Sequence, residues 1–458
     1  MRFIKRLLDG HSFFALAVVG CLATIGAGAS CSNEDGTARG APSDGGADTS
    51  VTTDDASHPE DAGPADATSR PWFDGGPLPI DCATPPCARS LVTTLGADES
   101  LVSSGTVDRG EGFCALLDDG TVACWGANQA GQLGRGEDAG SADDATPALV
   151  RGLSDVVQLD HTCALDKSGA VWCWGPNLPG DAGTASHQRA PVKMSIPPAK
   201  RVGMGTETGC AVVEDGVFCW GKNKAAQIAP LDELSAGKIV PPRSVPVPAG
   251  APIRDIHVGV ASFALRTDGT TLSWGANPPL ARVSSRFPEP RPRPIVLEHV
   301  SSLDVAGDNA CATAGGTGYC WGAVASSNPK HPNLDRALPE PVVTPEPLVQ
   351  IATTRTVGTG DTIERHQRWC AVAASGAVYC WGNNASGQAG DGTTDYAPAA
   401  VKVRGLPAPA AQVRTTPNST CALLTSGKVY CWGTNFYGQL GNGKLRIPSF
   451  VPQEVVMP

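Results

Sequence analysis

The stretch Cys421–Gly443, CALLTSGKVYCWGTNFYGQLGNG, decides how this chain folds. Two short apolar runs flank a Thr-Ser-Gly-Lys turn, which is the signature of a β-hairpin, and a glycine-rich tail follows. Nearly the same phrase stands at residues 114–136, CALLDDGTVACWGANQAGQLGRG, and eroded copies lie between them. Aligned on Trp-Gly, the copies fall at Trp125, Trp174, Trp220, Trp274, Trp321, Trp381 and Trp432, at spacings of 49, 46, 54, 47, 60 and 51 residues. A period near fifty with several short strands per unit is the size of a propeller blade, and each unit must stack on its neighbours to bury its apolar face. The composition agrees. A chain of 458 residues with 54 Gly, 39 Pro and 5% aromatics is turn-rich, and long helical apolar periodicity is absent after the N-terminus.

The cysteines follow the same period. Pairs stand at Cys114/Cys124, Cys163/Cys173, Cys210/Cys219, Cys311/Cys320, Cys370/Cys380 and Cys421/Cys431. In the first copy Asp118-Asp119-Gly120 makes a three-residue hairpin loop with glycine at the left-handed position, and this register sets Cys114 opposite Cys124. Opposed residues of an antiparallel pair lie within disulfide reach. In the fifth copy Gly315-Gly316 supplies a two-residue turn, so Cys311 still faces Cys320. The fourth copy has Phe263 and Ser273 in the two places, and this joint loss is what a bond predicts. Each such bond stabilises by up to ~2.7 kcal/mol in the chain-entropy model. Cys82 and Cys87, separated by Ala-Thr-Pro-Pro, read as a further small disulfide loop. No second ligand pair recurs at zinc spacing, so neither metal nor cofactor is expected. Disulfides at this density require an oxidising compartment.

The full unit resembles the regulator of chromosome condensation repeat, built as Ala-Leu, Asp/Ser-Gly, Val-Tyr-x-Trp-Gly-x-Asn and Gly-Gln-Leu-Gly-x-Gly. The tails Gly131–Gly136, Gly387–Gly392 and Gly438–Gly443 match it best, and Ala226-Gln227-Ile228 is a remnant. The resemblance covers residues 88 to 458 and implies an all-β, seven-bladed β-propeller with four strands per blade. Pro-led segments such as Thr146–Val150 read as strands preceding each hairpin. On that reading Pro448–Val456 is left over after the last copy and is expected to join the blade begun by Ser90–Val107, closing the ring.

The N-terminus reads as an address. Residues 1–30 have a basic start (Arg2, Lys5, Arg6), an apolar run Phe13–Ile25 and a small-residue end, the layout of a secretory signal peptide. Cys31 follows Gly-Ala-Ser and resembles the acylated cysteine of a bacterial lipoprotein, with Cys21 the competing candidate. Residues 31–81 form an acidic Asp/Gly/Ala/Pro linker, with 11 acidic and 2 basic residues between Ser32 and Asp81. Such a composition cannot bury enough surface to offset chain entropy, so disorder is expected. The propeller is placed at 82–458. The address expected is the outer membrane or cell surface, with a lipid anchor the one membrane contact, or secretion if the anchor is absent.

The formal net charge of −10 sits mainly in the linker, which leaves the folded part nearly neutral. Nucleic acid binding needs a basic footprint and is not expected. No Gly-x-Ser-x-Gly elbow, His-Glu-x-x-His pair or phosphate loop appears, and no catalytic residues are assigned. His161 reads as a packing or hydrogen-bonding residue at a hairpin start. Asn384-Ala-Ser386 and Asn418-Ser-Thr420 fit the glycosylation pattern. The spans Lys222–Gly250 and Ala323–Arg365 are the longest between copies, and loops on a rigid scaffold carry binding. Arg282, Arg286, Arg291 and Arg293, in one proline-stiffened segment, are the candidate contact patch for an acidic partner. The expectation is a monomeric, non-enzymatic, surface-tethered module that binds a protein or an envelope component. The alternatives come from the resemblance. One propeller type of the family inhibits β-lactamases, its founding member is a nucleotide-exchange factor for a small GTPase, and propellers also host secreted hydrolases.

Overall fold

The computed structural model describes residues 75–96, 109–179, 185–234, 239–277, 279–324, 334–354 and 368–458. The signal peptide, Cys21, Cys31 and most of the linker lie outside the described residues. Seven four-stranded antiparallel sheets follow one another along the chain. Their first strands, which begin with Ala88–Leu95 and end with Ala410–Thr415, touch in an unbroken cycle that includes the seventh against the first. The fold is a closed, all-β, seven-bladed propeller. Seven apolar clusters hold it, each centred between two neighbouring blades.

The hairpin register is the one the turns dictate. Cys114 faces Cys124, Cys311 faces Cys320 across the Gly315-Gly316 turn, and Phe263 faces Ser273. The remaining pairs obey the same rule: Cys163 faces Cys173, Cys210 faces Cys219, Cys370 faces Cys380 and Cys421 faces Cys431. Disulfides join all six hairpin pairs with Cα atoms 4.1 Å apart, and Cys82 to Cys87 at 5.6 Å. Their sulfurs do not only brace a hairpin. Cys114 and Cys124 pack in the cluster that holds Trp174 of the next blade. Cys163 and Cys173 likewise meet Trp220, Cys210 and Cys219 meet Trp274, and Cys370 and Cys380 meet Trp432. In blade 4, Phe263 fills that role and meets Trp321 of blade 5 edge-on at 6.0 Å between centroids.

After each Trp the glycine turns to positive φ, between 85° and 111° across the seven copies, where a side chain would strain the backbone. At Gly126 a Cβ would also lie 2.5 Å from the Glu111 carbonyl oxygen. This bulge lets the fourth strand loop past the tryptophan: Cys124 pairs with Ala148 but Gly126 with Asp144. Each fourth strand carries proline, from Pro147 in Asp144–Leu149 to Pro452 in Ser449–Glu454, while no first strand does. The fourth strand is the outer edge, and proline there blocks edge-to-edge pairing with other chains.

Ring closure differs from the expectation. The C-terminal strand Ser449–Glu454 pairs with Val429–Gly433 and completes blade 7, and blade 1 is built from Ala88–Leu149 alone. The Pro-led segments end the blade that precedes them rather than opening the next one. The seam is therefore closed by side chains and turns. Ala88 donates its amide to the Gly427 carbonyl (2.9 Å), the same stitch that joins Val156 to Gly120 and Ala410 to Gly376 elsewhere. At the other end of the blades, Glu111 of blade 1 accepts from Thr416 (2.7 Å), Asn418 (3.1 Å) and Gln439 (3.3 Å) of blade 7. The end of the linker also departs from its composition. Leu78 lies against Gly376, and the Asp81 amide donates to Thr425 (2.7 Å), so residues 78–81 strap blades 6 and 7.

Two outcomes check this account. Non-reducing peptide mapping of protein folded under oxidising conditions is expected to recover all seven bonds, and free thiols at several of these positions would refute it. Glu111→Ala leaves three donors at the seam unmet and is expected to lower unfolding free energy by roughly 2–3 kcal/mol in urea titration. A loss within experimental error would show that the seam does not depend on this carboxylate.

Candidate functional site

The antiparallel order sorts the connections onto two faces. The first-to-second and third-to-fourth connections of every blade leave at one end. The tight second-to-third turns leave at the other, with the links between blades. The long connections 127–143, 223–238, 276–288, 383–396 and 434–448 are all of the first kind. One face is thus built of short stitched turns, and the opposite face carries the length and the sequence variety. The spans Lys222–Gly250 and Ala323–Arg365 contribute to it, although each also contains a fourth strand, Ile239–Val245 and Leu334–Val342.

At the mouth of the central channel the first strands bring titratable groups together. Asp160, His161, His257, Asp304 and Arg414 line one recess with Val92 and Leu303. Most of these side chains are engaged in the scaffold. Asp160 accepts the Met204 amide and Asp304 the Thr353 amide, both at 2.7 Å from the next blade. His161 Nδ1 lies 2.9 Å from the Thr93 carbonyl oxygen, so this histidine is a hydrogen-bonding residue of the blade 1–2 boundary. His257 is different. Its Nε2 lies 3.3 Å from Asp255 on the same strand, and both side chains are partly exposed to the channel. Burial pushes the His257 pKa down, but the charges of Asp255, Asp160 and Asp304 outweigh it and hold the imidazole above its usual value. Burial likewise raises Asp255, and the His257 charge and hydrogen bond carry it below the usual carboxylate range. Among the described residues, the lining of the recess is aspartate, histidine, arginine and aliphatic side chains, and the Thr93 hydroxyl lies 3.1 Å from His161 Nδ1. Among the described residues no three His, Cys, Asp or Glu side chains converge as metal ligands.

The cysteines singled out in the sequence stand apart from this recess. Cys173, Cys219 and Cys380 are buried on the third strands of blades 2, 3 and 6, each bonded to its partner Cys163, Cys210 or Cys370. They are scaffold, with no thiol left to offer a ligand, and the same holds for the other bonded pairs.

The four arginines of the predicted patch do not stay together. Arg282 is buried, and its guanidinium donates to the Ser273 hydroxyl (3.2 Å) and carbonyl (3.0 Å) beside Glu289. It ties the third and fourth strands of blade 4, as Arg135 ties those of blade 1 through the Cys124 carbonyl (2.7 Å), and it is not a contact residue. Arg286, Arg291 and Arg293 are exposed, with Val283 and Phe287 beside them in the chain. Asn384 is buried with its amide committed to Asp391 and Thr393, which removes it as a glycan acceptor. Sequence reading missed His257, Asp255, Glu111 and the buried Arg368. Arg368 holds the turn that carries Thr416 and Asn418 by donating to Thr416, Ser419 and Thr420. For Asp255 and His257 the available signal was polar residues on both sides of the core residue in a first strand, as also in Gln158-Leu159-Asp160; Glu111 and Arg368, on second strands, carry no such signal.

The regulator of chromosome condensation (RCC1) repeat is matched at residues 119–165 and 426–458, and a second form of it at 159–177 and 412–439. The chain carries RCC1 repeats. The human E3 ubiquitin-protein ligase HERC2 is 30% identical over 194 residues, which is 40% of this chain and 4% of that protein. The E3 ubiquitin-protein ligase MYCBP2 of Danio rerio is 34% identical over 84 residues, 18% of this chain and 2% of that one. The chain thus spans a small fraction of the curated relatives it matches. Among solved structures, Prp20p of Saccharomyces cerevisiae superposes with a TM-score of 0.58 at 20% identity, over 73% of this chain and 85% of that one. Human WBSCR16 gives 0.59 at 17% identity, over 74% and 95%. At these identities the likeness shows the RCC1-type propeller fold.

The channel couple has a pH signature. A raised histidine pKa means the folded state holds the proton more tightly than the unfolded chain. Its stabilisation is complete below the unfolded value near 6.5 and is lost as pH rises through the folded value. The Asp255 contribution is present above the unfolded value near 3.8 and is lost as pH falls through the lowered one. His257→Asn is therefore expected to narrow the stability gap to wild type as pH rises from about 6 to above 8. A gap that stays constant over that window in parallel denaturation series would refute the coupling.

Proposed function

We propose that this chain is a non-enzymatic interaction module, exported and tethered by a lipid on Cys31, which binds a protein or cell-envelope component. The observation that carries this reading is the division of the two faces. The recurrent side chains are turned inward to stitch blades, and the connections that differ between RCC1 repeats gather at one end, where a rigid scaffold can present them. Seven disulfides fit an oxidising compartment outside the cytoplasm. Prp20p, of the same fold, is described with its binding to Gsp1p and histones. This supports protein binding as a use of the fold, and an exported chain would meet other partners. Arg286, Arg291 and Arg293 remain candidate contacts at the rim of blade 4.

Capture from native envelopes tests the reading. Wild-type protein is expected to retain one partner in stoichiometric yield, and Arg286→Glu/Arg291→Glu/Arg293→Glu to weaken its retention. Retention of no partner above background, together with turnover of an envelope substrate, would overturn the module in favour of an enzyme. For the tether, mature protein is expected to begin at a modified Cys31 and to partition into detergent. Cys31→Ala is expected to release a folded soluble propeller, because several acyl chains together provide the anchoring. Wild-type protein found soluble, with an unmodified thiol at Cys31, would remove the anchor from the proposal.

A further inference from the structure

The disulfide Cys82–Cys87 is unlike the six in the hairpins. Each hairpin bond joins residues that already face each other across an antiparallel ladder, so the sheet holds the two cysteines in place with or without the bond. All of these hairpin cysteines but Cys320 are buried. Cys82 lies outside every sheet and is half-buried, and the residues between it and its partner, Ala83-Thr84-Pro85-Pro86, are all exposed. Cys87 is buried, one residue before the first strand.

The bond fastens a strap. In Pro77-Leu78-Pro79-Ile80-Asp81 the exposed residues alternate with half-buried Leu78 and Ile80, the period of an extended chain that lays one side on the protein. Leu78 lies against Gly376, in the second-to-third turn of blade 6, and Ile80 packs with Met457 on the apolar cluster that joins blade 7 to blade 1. Pro77 and Pro79 have no amide hydrogen to donate. The main chain of the strap is held by the Asp81 amide, which donates to the Thr425 carbonyl (2.7 Å), and by Arg89 Nη1, which donates to the Ile80 carbonyl (3.1 Å).

At the other end of the bond, Cys87 stands between the turns of the first and last blades. Its carbonyl accepts the Asp118 amide of blade 1 (2.9 Å), and the next amide, of Ala88, donates to Gly427 of blade 7 (2.9 Å). A Cβ on Gly427 would come within 2.2 Å of Cys87 Sγ. Cys87 is thus fixed by the seam itself, whereas Cys82 is fixed through Cys87 and the strap. Opening the bond leaves Cys87 where it is and leaves the strap on two half-buried side chains and a few hydrogen bonds, against the chain entropy that release returns.

We propose that Cys82–Cys87 is a redox-sensitive latch, which a dithiol reductant opens ahead of the hairpin bonds, freeing the strap from the blade 7–1 seam while the seven sheets stay folded. Exchange begins at the sulfur a thiolate can reach. The reductant's thiolate attacks Cys82 Sγ, the bond to Cys87 breaks, and Cys87 leaves as a thiolate that takes a proton from water. The reductant's second thiolate then displaces Cys82, which also ends as a thiol, and closes the reductant's own disulfide. Two electrons pass from the dithiol to the cysteine pair, and an oxidised dithiol refastens the latch by the reverse exchange. Release uncovers the apolar sides of Leu78, Ile80 and Met457 on the face of stitched turns.

The test is graded reduction of the full-length oxidised protein with dithiothreitol, without denaturant, after thiols already free have been blocked. Trapping with iodoacetamide and peptide mapping are expected to label Cys82 and Cys87 before any hairpin cysteine. Deuterium exchange over residues 78–87 is expected to rise about tenfold or more in this partly reduced protein, with exchange in the hairpins unchanged. Leu78→Gly/Ile80→Gly, which keeps both cysteines, is expected to loosen the strap and to speed reduction of this bond about threefold or more, leaving the hairpin bonds as they were. Cys82→Ser/Cys87→Ser is expected to show, without reductant, the exchange of latch-reduced wild type. Labelling of a hairpin pair first or at the same dose, unchanged exchange in the strap once the latch is open, loss of hairpin protection along with it, or a wild-type reduction rate in the Leu78/Ile80 variant would each overturn the proposal. The mapping and exchange on wild-type protein decide it even where a variant fails to fold.

Discussion

Six of the seven blades bury the tryptophan of their third strand, with Trp381 of blade 6 partly buried, and the ring is organised around meeting the buried indole N–H from the blade before. Trp174 donates to the Gln132 carbonyl, Trp274 to that of Gln227, Trp432 to that of Gln388, and Trp125 reaches across the seam to Gln439, all between 2.8 and 3.0 Å. The acceptor lies in the glycine-rich tail, and the tail is built to offer it. The Gln439 side chain accepts from the Tyr437 amide and Asn435 from the Leu440 amide, which curl the loop into place. The second glycine leaves room for the ring: a Cβ on Gly441 would stand 2.9 Å from Trp125 Nε1. Trp-Gly-x-Asn and Gly-Gln-Leu-Gly are thus two halves of one joint that only neighbouring blades complete. A lone repeat would leave both halves unsatisfied and buried groups unpaired.

This joint explains why the fold was legible from one stretch of sequence. The hairpin turn, the cysteine register and the blade count are local consequences of glycine placement and period, and local consequences can be read along the chain. Closure was not local. The C-terminal strand has the same Pro-led pattern whether it ends blade 7 or opens blade 1, and only the pairing of Cys431 with Gln453 distinguishes the two. Glu111 reaches donors more than 300 positions away, a relation no spacing announces. Arg282 misled for a related reason. A basic residue among prolines looks like a solvated loop, and its burial depends on the Ser273 that blade 4 has where a cysteine stands elsewhere.

Blade 4 shows how the joint tolerates change. Losing the disulfide removes two buried sulfurs from the boundary with blade 5, and Phe263 restores the volume against Trp321. Ser273 leaves a hydroxyl in its place, which donates to the Leu280 carbonyl (2.6 Å) and accepts from Arg282. Trp321 still finds an acceptor, the Pro279 carbonyl at 2.9 Å, although the Gly-Gln-Leu-Gly tail is gone. What is retained is the carbonyl position, not the residue. Trp220 marks the limit: its indole N–H is buried with no acceptor among the described residues, following a blade whose tail has also eroded.

The same accounting separates scaffold from function. Residues that recur are consumed at blade boundaries: tryptophan in the joint, cysteine or phenylalanine in the packing, proline on the outer edge, glutamine on the first strand. Gln350, for instance, both donates to the Val413 carbonyl and accepts its amide. A group already holding two blades together cannot also be given to a partner without loosening the ring. Recognition must therefore draw on what the repeats do not share. On the proposed reading, that means the face with long connections and the exposed Arg286, Arg291 and Arg293 at the rim of blade 4. The disulfides bear on recognition as well. By fixing each hairpin where it presses on the next blade, they hold the ring rigid while connections on one face diverge, so new surface can be acquired without unfolding the frame that displays it.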